Sequence, residues 1–542
     1  MSASARPLRT DRAALLARLA EPQCYDVAVI GGGATGLGIA LDAATRGLRV
    51  VLVEAHDFAK GTSSRATKLV HGGVRYLAQG NLPLVREALR ERHILLRNAQ
   101  HLAQPLPFVV PAYRLWEKPF YGTGLVVYEA LAGKAGLGHT RWLDPRETLA
   151  RQPALRPEGL RGGVEYWDGQ FDDARLAIAL ARTAASAGAL LLNYCAAVAI
   201  VREGGKVAGL QCEDAETGVR YPVRARCVIN AAGIWVDAVR DLGREVPGSS
   251  ATLTLSQGAH IVVSRDFLPG DRAVLVPRTG DGRVLFALPW MGATLIGTTD
   301  TPRSRQELEP RPLSAEVAFL LGEAARYLSR PPAERDILSA WAGLRPLVRP
   351  VARISTKNVN REHVVRIDAD GLVTVAGGKW TTYRAMAEDA LDACAHAGLL
   401  KPPSPCSTAA YPLVGAAPGL HRIAGVPGMG LYGSEQDEVL ALPGAGRELG
   451  GGLTEAMVRF AARHEYARTV EDVLARRWRL LFLDAARART LAKEVGRLLE
   501  AETGHDPQAG AFLRLADAYL RGGSGPPSND APSEVGVCSL QD

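Results

Sequence analysis

Residues 27–54 read VAVIGGGATGLGIALDAATRGLRVVLVE, and this stretch decides the fold of the chain. It begins and ends with a short apolar run, and the residues between favour a helix, which predicts two parallel buried strands joined by a crossover helix. Gly31, Gly33 and Gly36 have the spacing G-x-G-x-x-G where the first strand turns into the helix, and Glu54 ends the second strand. The stretch therefore predicts a Rossmann-type unit, whose helix N-terminus binds the pyrophosphate of a dinucleotide.

Each of these residue types has a physical task in such a unit. Gly31 permits the tight turn, Gly33 lets a phosphate approach the backbone, and Gly36 lets the helix pack closely on the strand. Glu54 can accept hydrogen bonds from ribose hydroxyls and disfavours a 2′-phosphate, which argues against NADP. The fingerprint by itself leaves FAD and NAD as alternatives.

A second segment favours the same site. Residues 228–233, VINAAG, predict a strand that runs into a turn of small residues, where Gly233 would let the chain pass close to the dinucleotide. An ordinary buried strand and turn is the alternative. Other segments alternate in the manner of strands, namely 206–212, 226–230, 259–263, 284–288 and 372–376.

Length and composition limit the possible classes of protein. A chain of 542 residues exceeds what one core usually supports, so two or three domains are expected. The 64 Lys+Arg and 57 Asp+Glu are spread along the chain, which argues against a nucleic-acid partner and is compatible with an anionic substrate or membrane surface. The seven cysteines form no CxxC pair, so we expect neither disulfides nor a metal site, and a reducing cytoplasm is the natural setting.

No apolar stretch is long enough to span a bilayer. The longest, residues 189–201, is interrupted by Asn193, so any membrane association is expected to be peripheral. A Pro/Gly-rich boundary at 401–430 precedes a region of helix formers, in which Thr469 and Asp472 have the spacing of a capping box.

Residues 61–76, GTSSRATKLVHGGVRY, concentrate groups that can carry chemistry. They offer hydroxyls, glycines that permit close backbone approach, and several donors and acceptors: Thr62, Ser63, Ser64, Lys68, His71, Gly72, Arg75 and Tyr76. By itself, this segment favours a solvated loop of scattered charge over a functional site.

Three later segments add cations to this set. Arg345 lies between turn-forming residues in GLRP, and Arg361 lies near His363. Residues 377–384, GGKWTTYR, follow an apolar strand and begin a helix, which makes them a candidate second anion or flavin site. Arginines that converge with Lys379 on one pocket suit a phosphate dianion, since guanidinium groups bind it with two hydrogen bonds.

These segments carry a resemblance to a known family. The chain resembles the FAD-dependent, aerobic and quinone-linked glycerol-3-phosphate dehydrogenases over about residues 27–483. The combination of HGGVRYL, GTTD and GGKWTTYR is far more specific than the glycine fingerprint. Further matching segments are FDDARL, VINAAGIW, LPWMGATLIGTTD, GLRPL and RHEYARTVEDVLARR.

The resemblance implies an α/β fold in three parts: a Rossmann-type FAD-binding domain, a β-sheet substrate (cap) domain and an α-helical C-terminal domain. We expect a flexible leader over 1–22, the FAD-binding oxidoreductase domain with its interleaved cap over 23–405, the helical domain over 406–521, and a disordered tail over 522–542. FAD is expected to be bound non-covalently.

The implied reaction is oxidation of sn-glycerol 3-phosphate to dihydroxyacetone phosphate by hydride transfer to FAD, with electrons passed to a membrane quinone. Five residues fall where the family places active-site or substrate-phosphate contacts: Arg75, Tyr76, Arg345, Arg361 and Lys379. His71 and His260 are candidate bases, although an isolated histidine is more often structural. The residues expected at the cofactor are Gly31, Gly33, Gly36, Glu54, Thr62, Ser63, Ser64, Lys68, Gly72, Gly233, Gly378, Thr381 and Thr382.

Some positions depart from the family pattern. Gln257 and Ala259 stand where members often carry Lys and Ser, and Asn360 stands where Ser or Thr is common. These departures affect contacts around the pocket rather than its basic character.

Three other functions remain as alternatives: an oxidase that passes electrons to dioxygen, a flavin amine oxidase acting on glycine-like substrates, and a non-catalytic or tRNA-modification protein that retains FAD. The phosphate-suited arginines count against the amine oxidase. We expect a homodimer at the inner face of the cytoplasmic membrane. The helix around residues 478–482 is one candidate for the membrane contact, but a core-packing helix is the favoured interpretation of it.

Overall fold

The computed structural model describes residues 7–77, 80–242, 252–280, 282–349, 363–417 and 422–520, and at Arg75 and Tyr76 it describes the backbone only. The strands are β1 Cys24–Ile30, β2 Val50–Val53, β3 Leu69–Val70, β4 Ala103–Ala112, β5 Arg141–Leu143, β6 Gly162–Phe171, β7 Leu190–Leu192, β8 Cys195–Glu203, β9 Lys206–Asp214, β10 Arg220–Asn230, β11 Leu253–Ser264, β12 Ala273–Val276, β13 Leu285–Trp290, β14 Ala293–Gly297, β15 Thr301–Arg303, β16 Ile337–Val348, β17 His363–Ile367, β18 Val373–Gly377, β19 Glu448–Gly450 and β20 Leu453–Thr454.

The α-helices are α1 Arg12–Ala20, α2 Ala34–Thr45, α3 Val74–Leu77, α4 Leu82–Asn98, α5 Glu117–Ala132, α6 Pro145–Arg151, α7 Asp173–Ser186, α8 Val236–Asp241, α9 Ser314–Tyr327, α10 Tyr383–His396, α11 Gln436–Leu440, α12 Glu455–His464, α13 Leu480–Leu483, α14 Ala485–Thr503 and α15 Ala509–Leu520.

The first sheet has the strand order β17-β18-β10-β1-β2-β7 and is parallel from β18 to β7. β2 and residues 27–30 of β1 are buried apolar runs, as the sequence predicts for parallel strands covered on both faces. In the register, Ile30 pairs with both Asn230 and Val53, so β1, β2 and β10 end side by side. The glycine-rich turn, Glu54 and the 231–233 turn therefore meet at one edge of the sheet.

The second sheet forms the cap and has the order β15-β11-β14-β13-β12-β4-β6-β3, with β16 paired to β11 and β5 to β6. β11 and β16 are long antiparallel neighbours, and their register places His260 opposite Trp341 and Ser256 opposite Arg345. The cap strands come from several separate parts of the chain, so the cap is interleaved with the first domain.

The C-terminal region is mainly helical and shares one apolar core with the first domain. The largest cluster of buried side chains runs from Val27 in β1 to Tyr519 in α15. Buried ion pairs cross the same boundary, such as Arg175 with Glu465 at 2.8 Å. The helical region is thus a packed part of the molecule.

One prediction needs correction. The flexible leader predicted over 1–22 is wrong for residues 12–20, which form α1, because Arg12 is buried and donates to the carbonyl oxygen of Asn193 at 2.9 Å. At 478–482 the favoured interpretation, a core-packing helix, is confirmed, since Trp478 and Phe482 are each only 1% exposed and belong to the core. The tail predicted over 522–542 lies outside the described residues.

Candidate active site

A cavity of about 1420 Å³ is lined by residues of both sheets. It begins at the joint edge of β1, β2 and β10 and extends along the cap strands to His260 and Arg345. This volume exceeds the roughly 300–1,000 Å³ of ordinary small-molecule sites, so it has room for a dinucleotide and a small substrate together.

The turn after β1 is built for close approach of backbone and ligand. Gly31 has φ of +110°, and a Cβ there would lie 2.6 Å from the carbonyl oxygen of Ala231. A Cβ on Gly36 would lie 1.9 Å from the carbonyl oxygen of Gly31, so this glycine packs helix against strand. Helix α2 begins at Ala34 with its N-terminus at the cavity, where the helix dipole favours an anion.

Glu54 holds the same turn from the side. Its Oε2 accepts from the Gly32 N–H at 2.6 Å and its Oε1 from the His56 N–H at 2.9 Å. Burial raises the pKa of this carboxyl, while the two N–H donors lower it. Each oxygen keeps a second lone pair, and Glu54 lines the cavity, so the ribose contact expected from the sequence is compatible with this geometry.

Two segments distant in sequence close the cavity wall together. Thr62 Oγ1 donates to the Leu344 carbonyl oxygen at 2.6 Å, and the indole N–H of Trp380 donates to the Ser63 carbonyl oxygen at 2.8 Å. Thr381 Oγ1 accepts from the backbone N–H of His71 at 3.3 Å. The 61–71 segment is thus fixed to β16 and to the loop after β18. Its residues Thr62, Ser63 and His71 line the cavity.

Arg345 presents a cation to this space in a fixed orientation. Its Nη2 donates to Thr298 Oγ1 at 2.9 Å and to the Thr299 carbonyl oxygen at 3.0 Å. Its Nη1 lies 3.4 Å from Asp300 Oδ1, and 27% of the arginine side chain is exposed. A Cβ on Gly258 would come within 2.2 Å of Nη2, so this glycine provides the room that the guanidinium occupies.

His260 lies beside it on β11 and is 2% exposed. Its Nε2 is 3.0 Å from Thr67 Oγ1, and its ring stacks on Trp341 with centroids 4.2 Å apart. Burial lowers the pKa of this imidazole well below its ordinary value, and the positive charges of Lys68 and Arg345 lower it further. His260 is therefore neutral at neutral pH.

The structure brings many of the predicted residues to the cavity wall. These are Gly31, Gly33, Glu54, Thr62, Ser63, His71, Gly233, His260, Arg345, Gly378, Lys379 and Thr381. The backbone of Arg75 and Tyr76 lies in α3, next to wall residues Gly73, Val74 and Leu77. Asn360 and Arg361 lie outside the described residues.

Five predicted cofactor residues do not line the cavity. Lys68 is fully buried and donates to Asp173 Oδ2 at 2.7 Å, because Trp341 and Trp290 fill the space around its ammonium group. Burial lowers the pKa of Lys68 to about 7. The Cβ side of Gly72 is filled by Leu89 and the Tyr128 hydroxyl. Ser64, Gly36 and Thr382 are buried in the supporting structure behind the wall.

Sequence reasoning missed other residues of the site. Thr67 lies within the 61–76 segment, and Thr298 and Asp300 lie within the GTTD segment, but the sequence analysis assigned no function to these three residues. No local signal marks Trp341, which meets His260 only through the pairing of β11 with β16.

The groups present fit a flavin dinucleotide: a glycine turn with φ that favours glycine, a helix N-terminus, a carboxylate at the end of β2, and a long, mainly apolar cavity. The family model described as FAD dependent oxidoreductase matches residues 26–384, and the one described as C-terminal domain of alpha-glycerophosphate oxidase matches residues 406–509. Fold, site and family match define the class: the chain is an FAD-dependent oxidoreductase, and the predicted fold class and FAD are confirmed.

Comparison with individual proteins narrows the class. The probable mitochondrial glycerol-3-phosphate dehydrogenase of Caenorhabditis elegans is 40% identical over 534 residues, which cover 92% of this chain and 73% of that protein. The Homo sapiens enzyme is also 40% identical, with 91% and 73% covered. The structure of the Bacillus halodurans glycerol-3-phosphate dehydrogenase complexed with FAD superposes with a TM-score of 0.75 at 31% identity, covering 94% of this chain and 97% of that one. The chain belongs to the FAD-dependent glycerol-3-phosphate dehydrogenase family, as its sequence segments predict.

Proposed function

We propose that the chain oxidises sn-glycerol 3-phosphate to dihydroxyacetone phosphate, with FAD as the hydride acceptor. The observation that carries this proposal is the fixed Arg345 guanidinium beside a neutral His260 in the same cavity as the dinucleotide cradle. A cation suits the phosphate end of the substrate, and a neutral imidazole suits removal of a hydroxyl proton. The flavin supplies the hydride chemistry, and the protein supplies position and charge.

The remaining predicted residues take roles in the same scheme. Arg345, Arg75 and Arg361 bind the phosphate and hydroxyls, with Tyr76 beside them, and Lys379 stabilises developing negative charge on the substrate oxygen or the cofactor. His260 and His71 are the candidate bases. Arg361 lies outside the described residues. The other six positions lie on or next to the cavity wall, which supports the scheme.

Anaerobic titration of the flavin absorbance tests the proposed substrate. Glycerol 3-phosphate should bleach the flavin, and glycerol and glycine at equal concentration should not. Bleaching by glycine, or equally by glycerol, would contradict the proposal in favour of an amine oxidase or a phosphate-independent enzyme.

Arg345→Ala tests the role of the cation. Loss of a charge-assisted hydrogen bond to a buried dianion costs roughly 1.5–3 kcal/mol, so kcat/KM should fall about ten- to a hundredfold while FAD content stays constant. Arg345→Lys should recover only part of the lost kcat/KM, because an ammonium group cannot form the two parallel hydrogen bonds of a guanidinium. Arg349→Ala is the matched control, since Arg349 is exposed just beyond the same strand. If Arg345→Ala instead loses FAD or stability first, the arginine is a scaffold residue.

We further propose that a membrane quinone takes the electrons and that the protein binds the membrane peripherally. No helix in the described ranges is long and apolar enough to cross a bilayer. Support comes from α5 and the turn before it, where Leu115 is 80%, Phe120 64% and Trp116 47% exposed. Trp116 and Phe120 also line the cavity, so one apolar surface continues from solvent into the site.

The charges around α5 suit an anionic lipid surface. From Arg114 to Arg141 inclusive, the chain carries four Lys or Arg and two Glu. Aromatic side chains with a basic rim are typical of interfacial helices. Several relatives are named as mitochondrial enzymes. For this chain, attachment to the inner face of the cytoplasmic membrane and a homodimeric state remain proposals.

Vesicle sedimentation tests the surface. Leu115→Ser, at a position that is 80% exposed and does not line the cavity, should weaken binding to anionic vesicles and quinone reduction in them, with dye reduction in solution unchanged. Val426→Ser is the control, because Val426 is 73% exposed elsewhere. A change from dimer to monomer without loss of vesicle binding would make the surface a subunit contact. Formation of stoichiometric peroxide with no reduction of quinone would favour the oxidase. The family model that matches residues 406–509 is described as a domain of alpha-glycerophosphate oxidase.

A further inference from the structure

His260 meets the cavity through a neighbouring hydroxyl. Its Nε2 lies 3.0 Å from Thr67 Oγ1. Its Nδ1 is buried and has no hydrogen-bond partner among the residues that the structure describes. The Nε2–Thr67 pair is therefore the polar connection of this imidazole to its surroundings.

The imidazole ring lies at the cavity wall and is packed on one face and one edge. Trp341 lies parallel to one face, with centroids 4.2 Å and planes 19° apart. On the neighbouring strand, a Cβ at Gly297 would come within 2.2 Å of Cδ2, so backbone packs directly against the ring edge. A direct bond from a substrate hydroxyl to Nε2 would have to displace Thr67.

Thr67 is placed to stand between the ring and a substrate. It is half-buried and lines the cavity. The residues on both sides are anchored in the interior: the Ala66 N–H donates to Asp173 Oδ2 at 3.0 Å, and Lys68 Nζ donates to the same oxygen at 2.7 Å. The hydroxyl of Thr67 is thus fixed at the wall with one side toward His260.

We propose that Thr67 is a catalytic residue that relays the proton of the substrate's C2 hydroxyl to Nε2 of His260. This inference rests on the proposed function. The C2 hydroxyl gives its proton to Thr67 Oγ1 while the Thr67 proton passes to Nε2. The C2 hydrogen leaves with its electron pair to FAD, the oxidant, and the C2–O bond becomes the carbonyl. After the product leaves, the imidazolium returns its proton through Thr67 Oγ1 to the cavity and from there to solvent.

The charges that face His260 set the conditions for this relay. Lys68 lies behind Trp341, with Nζ 4.6 Å from the indole centroid, and Arg345 lies on the cavity side. Thr67 and Trp341, which contact the imidazole, are uncharged. Burial, with the two cations as further causes, lowers the pKa of His260 and keeps the free imidazole ready to accept a proton, and a bound phosphate dianion offsets the charge of Arg345 when the proton arrives.

Thr67→Val and Thr67→Ser separate the relay from a packing role. Removing a positioned proton-transfer group typically costs about 10²–10⁴ in rate, so Thr67→Val should slow anaerobic flavin reduction at least about tenfold, whereas Thr67→Ser should stay within about threefold. Calorimetric binding of dihydroxyacetone phosphate should stay within about twofold in both variants. Thr503→Val is the control, since that hydroxyl lies at the C-terminus of α14, where it donates to the Leu499 carbonyl oxygen and accepts from the His505 N–H.

A double variant adds a sharper criterion. Because relay residues act as a unit, Thr67→Val/His260→Gln should be no slower than the slower single variant. Wild-type speed in Thr67→Val, equal slowing in Thr67→Ser, or fully additive losses would each overturn the relay. Failure of glycerol 3-phosphate to bleach the wild-type flavin would instead overturn the proposed function.

Discussion

At the scale of single residues, Gly258 controls where the Arg345 guanidinium lies. A Cβ at this position would meet Nη2 at 2.2 Å and Thr298 Oγ1 at 2.6 Å. In Gly258→Ala we expect the arginine to move and kcat/KM for glycerol 3-phosphate to fall about tenfold or more, because a charge-assisted bond is worth roughly 1.5–3 kcal/mol. FAD content should not change. Gly322→Ala is the control, since nothing lies within 4 Å of its added Cβ. Unchanged kinetics in Gly258→Ala would show that the arginine position is not critical.

A second prediction at the scale of single residues concerns Lys68 and the pH dependence of kcat/KM. Burial lowers the pKa of His260 well below its ordinary value, with Lys68 and Arg345 as further causes, so the neutral form persists as the pH falls through 6.5. Lys68 has a pKa of about 7 and is mainly protonated in that range. Lys68→Met removes this charge, so the pKa of His260 should rise and the acid limb of kcat/KM should move to higher pH. An acid limb at the same pH in both proteins would exclude His260 as the titrating group.

At the scale of elements, one buried carboxylate joins the loop after β2 to the π-helical turn Asp472–Arg477. Asp57 is 1% exposed and bonds Arg477 Nη2 at 2.9 Å and Arg476 Nε at 2.5 Å, while both arginines are at most 2% exposed. Asp57→Asn removes the carboxylate that pairs with the buried Arg477, while Arg476 keeps Glu471 and Asp472, so the free energy of unfolding should fall by about 3–5 kcal/mol. Glu203→Gln, which breaks an exposed pair with Arg224, should cost about 0–1 kcal/mol. Denaturant titration of the two variants measures the difference.

At the scale of the whole molecule, the shared core predicts joint folding of the two regions. Ion pairs such as Arg182–Glu435 and Arg175–Glu465 are buried across the boundary, and the main apolar cluster includes side chains from both sides. A chain that ends at residue 405 should therefore expose this core and fail to give soluble protein that retains FAD. Calorimetry of the full chain should show one cooperative transition. A soluble, yellow 1–405 fragment would show that the helical region is an independent domain.

The sequence by itself determined the dinucleotide-binding unit, because its signals are local. Buried parallel strands require continuous apolar runs, and the turn between them requires glycine where a Cβ would strike backbone, as at Gly31 and Gly36. The same holds for the capping box, where the Asp472 N–H donates to Thr469 Oγ1 at 3.2 Å. The cavity positions of Arg345 and Lys379 followed from family-specific segments rather than from periodicity.

Only the tertiary structure decided which residues of the 61–76 segment face the cavity. Thr67 and Lys68 are neighbours in an irregular loop, where no period of 2 or 3.6 assigns a side. Lys68 points inward because Trp341, far away in sequence, supplies an aromatic face and Asp173 a counter-charge. The exposure of α5 and the burial of Trp478 likewise depend on which surfaces pack together. Such long-range contacts follow from the pairing of distant strands and helices, which no local pattern contains.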